Sequence, residues 1–142
     1  MIIGICGLIG SGKDTIADHL VNDHSFVKLS FADKLKDSVA TMFDWSRDLL
    51  DGKTEQSRKW REQMDPFWSM ELKHEVTPRL VLQKFGTECM RDGFYDGIWV
   101  SLVKKKLKDN PQINWVIPDV RFENEANTVS YTHLTLPTTS SV

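Results

Sequence analysis

Gly7-Leu8-Ile9-Gly10-Ser11-Gly12-Lys13-Asp14-Thr15, directly after the apolar stretch Met1-Ile2-Ile3-Gly4-Ile5-Cys6, decides the fold of this chain. An apolar strand that ends in a glycine-rich turn and opens a helix is the setting of a phosphate-binding loop. Glycines at 7, 10 and 12 let successive backbone N–H groups point into one concavity, because positive φ and close backbone approach are cheap without a Cβ. The helix that follows from Lys13 aims its orphan N–H groups and the positive end of its dipole at the same anion, and the Lys13 ammonium reaches the outer phosphates. The expected ligand is a nucleoside triphosphate; the plainer alternative is a glycine-rich turn without one. The usual pattern places Ser or Thr after the lysine to hold Mg²⁺, whereas here Asp14 stands there and Thr15 follows. Two readings stay open: Asp14 attracts the metal through water, or it turns away and the Thr15 hydroxyl serves.

Working outward, 142 residues fit one domain with a real core. Eighteen basic against twenty acidic residues leave a net charge of −2, so nothing global points to nucleic acid or a membrane, and a small-molecule partner is expected. The start is broken by Gly4 and Gly7 and has no basic flank, which makes it a strand and not a signal peptide. Cys6 and Cys89 are the only cysteines; without metal-ligand spacing they suit a reducing cytosol and read as packing residues. The expected location is cytoplasmic, the host cytoplasm if the gene is phage-encoded.

Periodicity predicts a buried strand over 1–6 and a helix over 14–24 with Ile16, Ala17, Leu20 and Val21 on one side. It then predicts a short strand over 26–29 and a helix within 31–43 carrying Leu35, Val39 and Met42. Residues 44–76 are polar and rich in Trp, with breaks at Asp51-Gly52 and Asp65-Pro66 around one helix over 54–64, and read as an insertion covering something. Pro78 begins a helix to about Cys89, another runs over 96–108, and 113–117 is a third strand with Pro118 and Asp119 at its carboxyl end. Lys104-Lys105-Lys106 reads as a solvated face. Alternating strands and helices imply an α/β fold with a doubly wound parallel sheet, whose ligands sit beyond the carboxyl ends of the strands.

Asp119, leaving an apolar strand, suits Mg²⁺ held through water, although a turn or cap aspartate is the alternative. Arg121 either reaches a phosphate or pairs with Glu123 or Glu125. Arg79 and Gln83 are four apart and share a helical face, a fork for a monophosphate and an amide for a base edge; on spacing alone a solvated face is the better explanation. Lys36 either contacts an acceptor phosphate or is an ordinary surface lysine.

Together GLIGSGKDT, SFADKLKD, FDWSRDLLDG with Lys59-Trp60-Arg61, TPRLVLQKFGTE, DGIWV and VIPDVRFENE resemble the phage-type deoxynucleoside monophosphate kinases of the P-loop nucleoside monophosphate kinase superfamily. The resemblance covers nearly all of residues 2–127, and Asp after the loop lysine is typical of that group. It implies a P-loop NTPase-like fold and transfer of the γ-phosphoryl group of ATP, with Mg²⁺, to a deoxynucleoside monophosphate. It further implies that Gly7, Gly10, Ser11, Gly12, Lys13, Asp14 and Thr15 bind ATP, with Asp14, Thr15 and Asp119 toward the metal. Lys36, Arg79, Gln83 and Thr87 would line the acceptor pocket, with Lys13, Arg79, Asp119 and Arg121 serving the transfer and Trp60 and Trp68 closing over the acceptor. Alternatives are another small-molecule P-loop kinase, such as one acting on dephospho-coenzyme A, a nucleotide-binding module without transfer, and an inactive remnant.

The tail Val129-Ser130-Tyr131-Thr132-His133-Leu134-Thr135-Leu136-Pro137-Thr138 resembles the translation of a transposase-type sequencing adapter. Residues 1–127 are therefore expected to be an incomplete kinase domain and 128–142 a foreign tail. On that expectation the sheet stops after its third strand, keeps the second, third and first strands in that order, and leaves the first as an open apolar edge prone to aggregation. The polypeptide as written is then expected to be poorly soluble and weakly active or inactive.

Overall fold

The structure, a computed structural model, describes residues 1–6, 12–132 and 138–139. In chain order its elements are β1 (Ile2–Cys6), α1 (Lys13–His24), β2 (Val27–Lys28), α2 (Asp33–Phe43), α3 (Arg47–Asp51), α4 (Glu55–Glu62), α5 (Pro66–Leu72) and α6 (Pro78–Gln83). A π-helical segment (Lys84–Asp92), α7 (Ile98–Asp109), β3 (Trp115–Ile117), α8 (Glu123–Thr132) and β4 (Thr138–Thr139) follow. The chain forms two compact units, one of residues 1–31 and 99–142, the other of residues 32–98.

In the first unit every strand pair is parallel and the order is β2-β3-β1-β4. Ile2, Ile3 and Gly4 stand opposite Trp115, Val116 and Ile117, while Val27 and Lys28 face Trp115 and Val116. The period-2 alternation of a strand then sorts side chains to two faces. Ile3, Ile5 and Val116 pack with Ala17, Leu20 and Val21 of α1. Ile2, Trp115 and Ile117 pack with Val103 and Leu107 of α7 and Val129 of α8. Helices on both faces make the sheet doubly wound, as the alternation predicts.

The structure corrects two expectations in this unit. Ile16 is exposed, so the buried side of α1 is Ala17, Leu20 and Val21. The sheet does not stop at three strands: Ile5 and Cys6 pair with Thr138 and Thr139, so the carboxyl end of β1 is not an open edge. Helix α8 carries Thr128 and Val129, both buried.

The second unit is helical around Val39, Leu50 and Leu82, with Leu35, Phe43, Trp45, Trp60, Val81 and Phe85 packed against them. Side-chain caps set its helix starts. The Ser46 hydroxyl accepts from Leu49 N–H, Asp65 from Trp68 N–H, Thr77 from Leu80 N–H, and Thr54 and Ser57 form a reciprocal capping box. Two of these helices, α3 and α5, are not predicted by periodicity, since five and seven residues are too short to show one. Met42 is 63% exposed and lies off the core face of α2. Cys89 is exposed, not a packing residue, and Cys6 is only half-buried against the sheet.

Candidate functional site

Gly7, Gly10 and Ser11 of the expected phosphate loop lie outside the described residues. Gly12 is described: it adopts φ 85°, ψ 10° as the N-cap of α1 and has no side-chain cap. That left-handed conformation is costly for any residue with a Cβ, which accounts for the glycine. The Ile16 N–H donates to the Gly12 carbonyl at 3.1 Å as the helix begins, so the amides of Lys13, Asp14 and Thr15 form the orphan-donor end of α1. Asp14 and Thr15 are exposed and Lys13 is half-buried; among the described residues neither Lys13 nor Asp14 has an ion-pair partner.

Asp119 sits in the turn after β3, beside β1, and this turn is tied down by the Val120 N–H donating to the Ile5 carbonyl at 3.2 Å. One carboxylate oxygen, Oδ2, accepts from the Ser30 hydroxyl at 2.6 Å. The other, Oδ1, is buried without a hydrogen-bond partner among the described residues. Arg121 is exposed and forms no ion pair among the described residues. Its expected partner Glu125 instead accepts from the backbone N–H groups of Arg121 and Phe122 at 2.9 and 3.2 Å, capping α8. Sequence reasoning missed Ser30, because a serine after a two-residue strand carries no signal until the sheet brings it to Asp119.

Acceptor-side candidates lie in the second unit. Lys36 is half-buried, 3.6 Å from Asp51, in a cluster with Arg47 and Arg61. Burial, together with the charges of Arg47 and Arg61, holds its ammonium below the ordinary lysine value despite Asp51. Arg47 is fully engaged, with Asp33 at 3.2 Å, Asp37 at 2.6 Å and Asp51 at 2.5 Å. Burial opposes ionisation of Asp51, but the Arg47 hydrogen bond and the charges of Arg47 and Lys36 prevail and hold its carboxyl below the usual range. Arg61 donates from Nη1 to the Leu50 carbonyl at 3.4 Å and has a buried, unpartnered Nε. Its guanidinium lies on Gly52, where a Cβ would stand 2.3 Å from Nη2.

Arg79 is exposed and paired with Glu62, and Gln83 and Thr87 are also exposed. The shared face expected for Arg79 and Gln83 is kept in α6, but beyond Gln83 the wider π winding changes the register that carries Thr87. Gly86 is buried there, and a Cβ on it would meet Leu35 Cδ2 at 2.9 Å. Trp60 and Trp68, expected to cover the acceptor, belong to an aromatic cluster: Phe43 stacks on Trp45 at 4.8 Å, and Trp68 and Trp60 meet these two edge-on. Among the described residues no helix is long and apolar enough to cross a membrane.

No family model matches the chain. It is similar to a protein of Acanthamoeba polyphaga mimivirus that is named, by attribution, a deoxynucleotide monophosphate kinase. The two are 35% identical over 138 residues, which take in 89% of this chain and 67% of that protein. With so much of both sequences in common, the chain belongs to the deoxynucleotide monophosphate kinase family.

Proposed function

We propose that the protein transfers the γ-phosphoryl group of ATP to a deoxynucleoside monophosphate, giving ADP and the deoxynucleoside diphosphate. The observation that carries this reading is Asp119: a carboxylate after the central strand β3, with one oxygen held and the other buried and unsatisfied beside the strand that leads into the glycine run. A buried anionic oxygen without a donor is rare in a native fold and suits a cation. Among the described residues no group of three or more His, Cys, Asp or Glu gathers into a metal cage. Mg²⁺ bound through one or two carboxylates and the nucleotide's own phosphates needs none, so the donor set fits it.

When bound, Mg²⁺ neutralises charge on the phosphates. Asp119 would hold it, with Asp14 or the Thr15 hydroxyl. The amides of the glycine run and of the start of α1 bind the polyphosphate, and the Lys13 ammonium follows the charge that builds on the transferring group. Arg121, exposed and without a carboxylate partner among the described residues, serves the same phosphate end. In the second unit Arg79 takes the acceptor phosphate, Lys36 adds charge, and Gln83 and Thr87 offer donors and acceptors to the nucleoside. No covalent intermediate with the protein is needed, since in-line placement and charge neutralisation supply most of the rate.

The test is formation of ADP and diphosphate from ATP, Mg²⁺ and each of the four deoxynucleoside monophosphates. Saturable transfer to at least one is expected, falling by about 10²-fold or more in Lys13→Ala and Asp119→Asn. A folded protein that binds Mg²⁺·ATP yet transfers to none of the four overturns the reading.

A further inference from the structure

We propose that Ser30 is a positioning residue for the cation that accompanies the nucleotide: its hydroxyl fixes the rotation of the Asp119 carboxylate so that Oδ1 is presented to the metal. The inference rests on the reading of Asp119 given above and assigns a role to a residue that motif and spacing pass over.

Both partners are attached to fixed backbone. The ladder continues past β2, with the Leu29 N–H donating to the Val116 carbonyl at 2.9 Å, and Leu29 and Phe31 on either side of Ser30 are buried in the core. Successive residues of an extended segment point to opposite sides, so Ser30 projects away from the side that buries its neighbours. On the other side Pro118 is buried and Val120 N–H is bonded to β1. The 2.6 Å separation between the Ser30 and Asp119 oxygens is that of a close O–H···O hydrogen bond.

The ordinary work of an aspartate in such a turn is to accept from the next backbone amides. Here that work is done by Glu125, which takes the N–H groups of both Arg121 and Phe122. Among the described residues Asp119 is thereby left with one donor, Ser30, and one buried oxygen without any. A carboxylate that caps nothing, is clamped at one oxygen by a side chain from another strand and keeps the other oxygen dry has the form of a ligand held by an outer-shell hydrogen bond.

The experiment measures Mn²⁺ binding to the protein–ATP complex by electron paramagnetic resonance, and ATP affinity calorimetrically with and without Mg²⁺. It compares wild type, Ser30→Ala, Ser30→Thr and Asp119→Asn. Ser30→Ala is expected to weaken Mn²⁺ binding by about 10-fold or more, as outer-shell changes do, with metal-free ATP binding unchanged. Ser30→Thr, which keeps the hydroxyl, restores it. If Asp119→Asn loses the metal-dependent gain while Ser30→Ala keeps it, the role of Ser30 is refuted and the reading of Asp119 stands. If wild type shows no metal-dependent gain, or Asp119→Asn matches wild type, the reading of Asp119 fails and takes this inference with it. Should Ser30→Ala not fold, Ser30→Cys, close in size but a weak donor, is expected to show the same loss, and wild-type Mn²⁺ affinity in it refutes the proposal.

Discussion

Gly4 stands in the middle of β1, opposite Ile117, and a Cβ there would lie 3.2 Å from Val120 Cγ2 and 3.4 Å from Val129 Cγ1. Two effects oppose each other in Gly4→Ala. Restricting the unfolded chain favours alanine by about 0.4–1 kcal/mol, whereas crowding a packed interior costs about 1–3 kcal/mol. The outcome turns on whether the neighbours can yield. Val120 and Val129 are 5% and 3% exposed and, being β-branched, have few alternative χ1 rotamers, so crowding prevails. A net loss of about 1 kcal/mol is expected in urea denaturation, with Gly4→Val losing more, about 2–3 kcal/mol. Val129→Ala removes two buried carbons and costs about 1.5 kcal/mol by itself. In the double variant the vacated space receives the new Cβ, so the loss should fall short of the sum by about 1 kcal/mol. Strict additivity, or a Gly4→Ala protein more stable than wild type, would refute the packing argument and with it the place of Val129 in the core.

Leu50 is fully buried with Val39 and Leu82, so Leu50→Ala should cost about 2–5 kcal/mol by thermal or urea unfolding; a loss below 1 kcal/mol would mean that this core closes around the cavity. Asp51→Asn removes the carboxylate that Arg47 and Lys36 share, at a cost of about 1–2 kcal/mol after allowing for solvent screening. Since the folded state lowers the Asp51 pKa, its stabilisation is complete above the unfolded carboxyl value of 3.8 and is lost as pH falls through the lower folded one. Wild type should therefore lose more stability than Asp51→Asn between pH 6 and pH 2.5, and parallel acid titrations would contradict the assignment.

The sheet was legible because its information is local. An apolar run, a glycine turn and a helix start occur within fifteen residues, and the apolar stretch ending at Ile117 marks its parallel partner. The register Ile2 to Trp115 follows once both strands must send alternate residues to two covered faces. What escaped was set by tertiary contact. Residues 84–92 carry helix-forming composition, and nothing in it distinguishes π from α winding; the buried Gly86 against Leu35 is visible only when packed. Trp60 and Trp68 pack with Phe43 and Trp45 inside their own unit, a cluster that no period in residues 44–76 announces. The Ser30–Asp119 bond joins residues 89 positions apart, a separation over which no sequence period carries information.

Ion pairing also orders the candidate cations of the proposed site. Lys13 and Arg121 have no carboxylate partner among the described residues, so on the proposed reading an incoming polyphosphate would meet them without displacing a competitor. In the second unit the candidates Lys36 and Arg79, and Arg47 beside them, each hold a carboxylate, and on the proposed reading the acceptor would have to replace it. Arg47 is gripped by three aspartates while only partly exposed, so releasing it would strand several half-buried charges at once. Arg79 holds one exposed partner, Glu62, and such a pair is worth only about 0–1 kcal/mol. A phosphate dianion offers the same guanidinium a bidentate acceptor with more charge. The arginine most exposed to exchange is therefore the one on the helix face with Gln83, and Arg47 is left to hold Asp51 where Lys36 needs it.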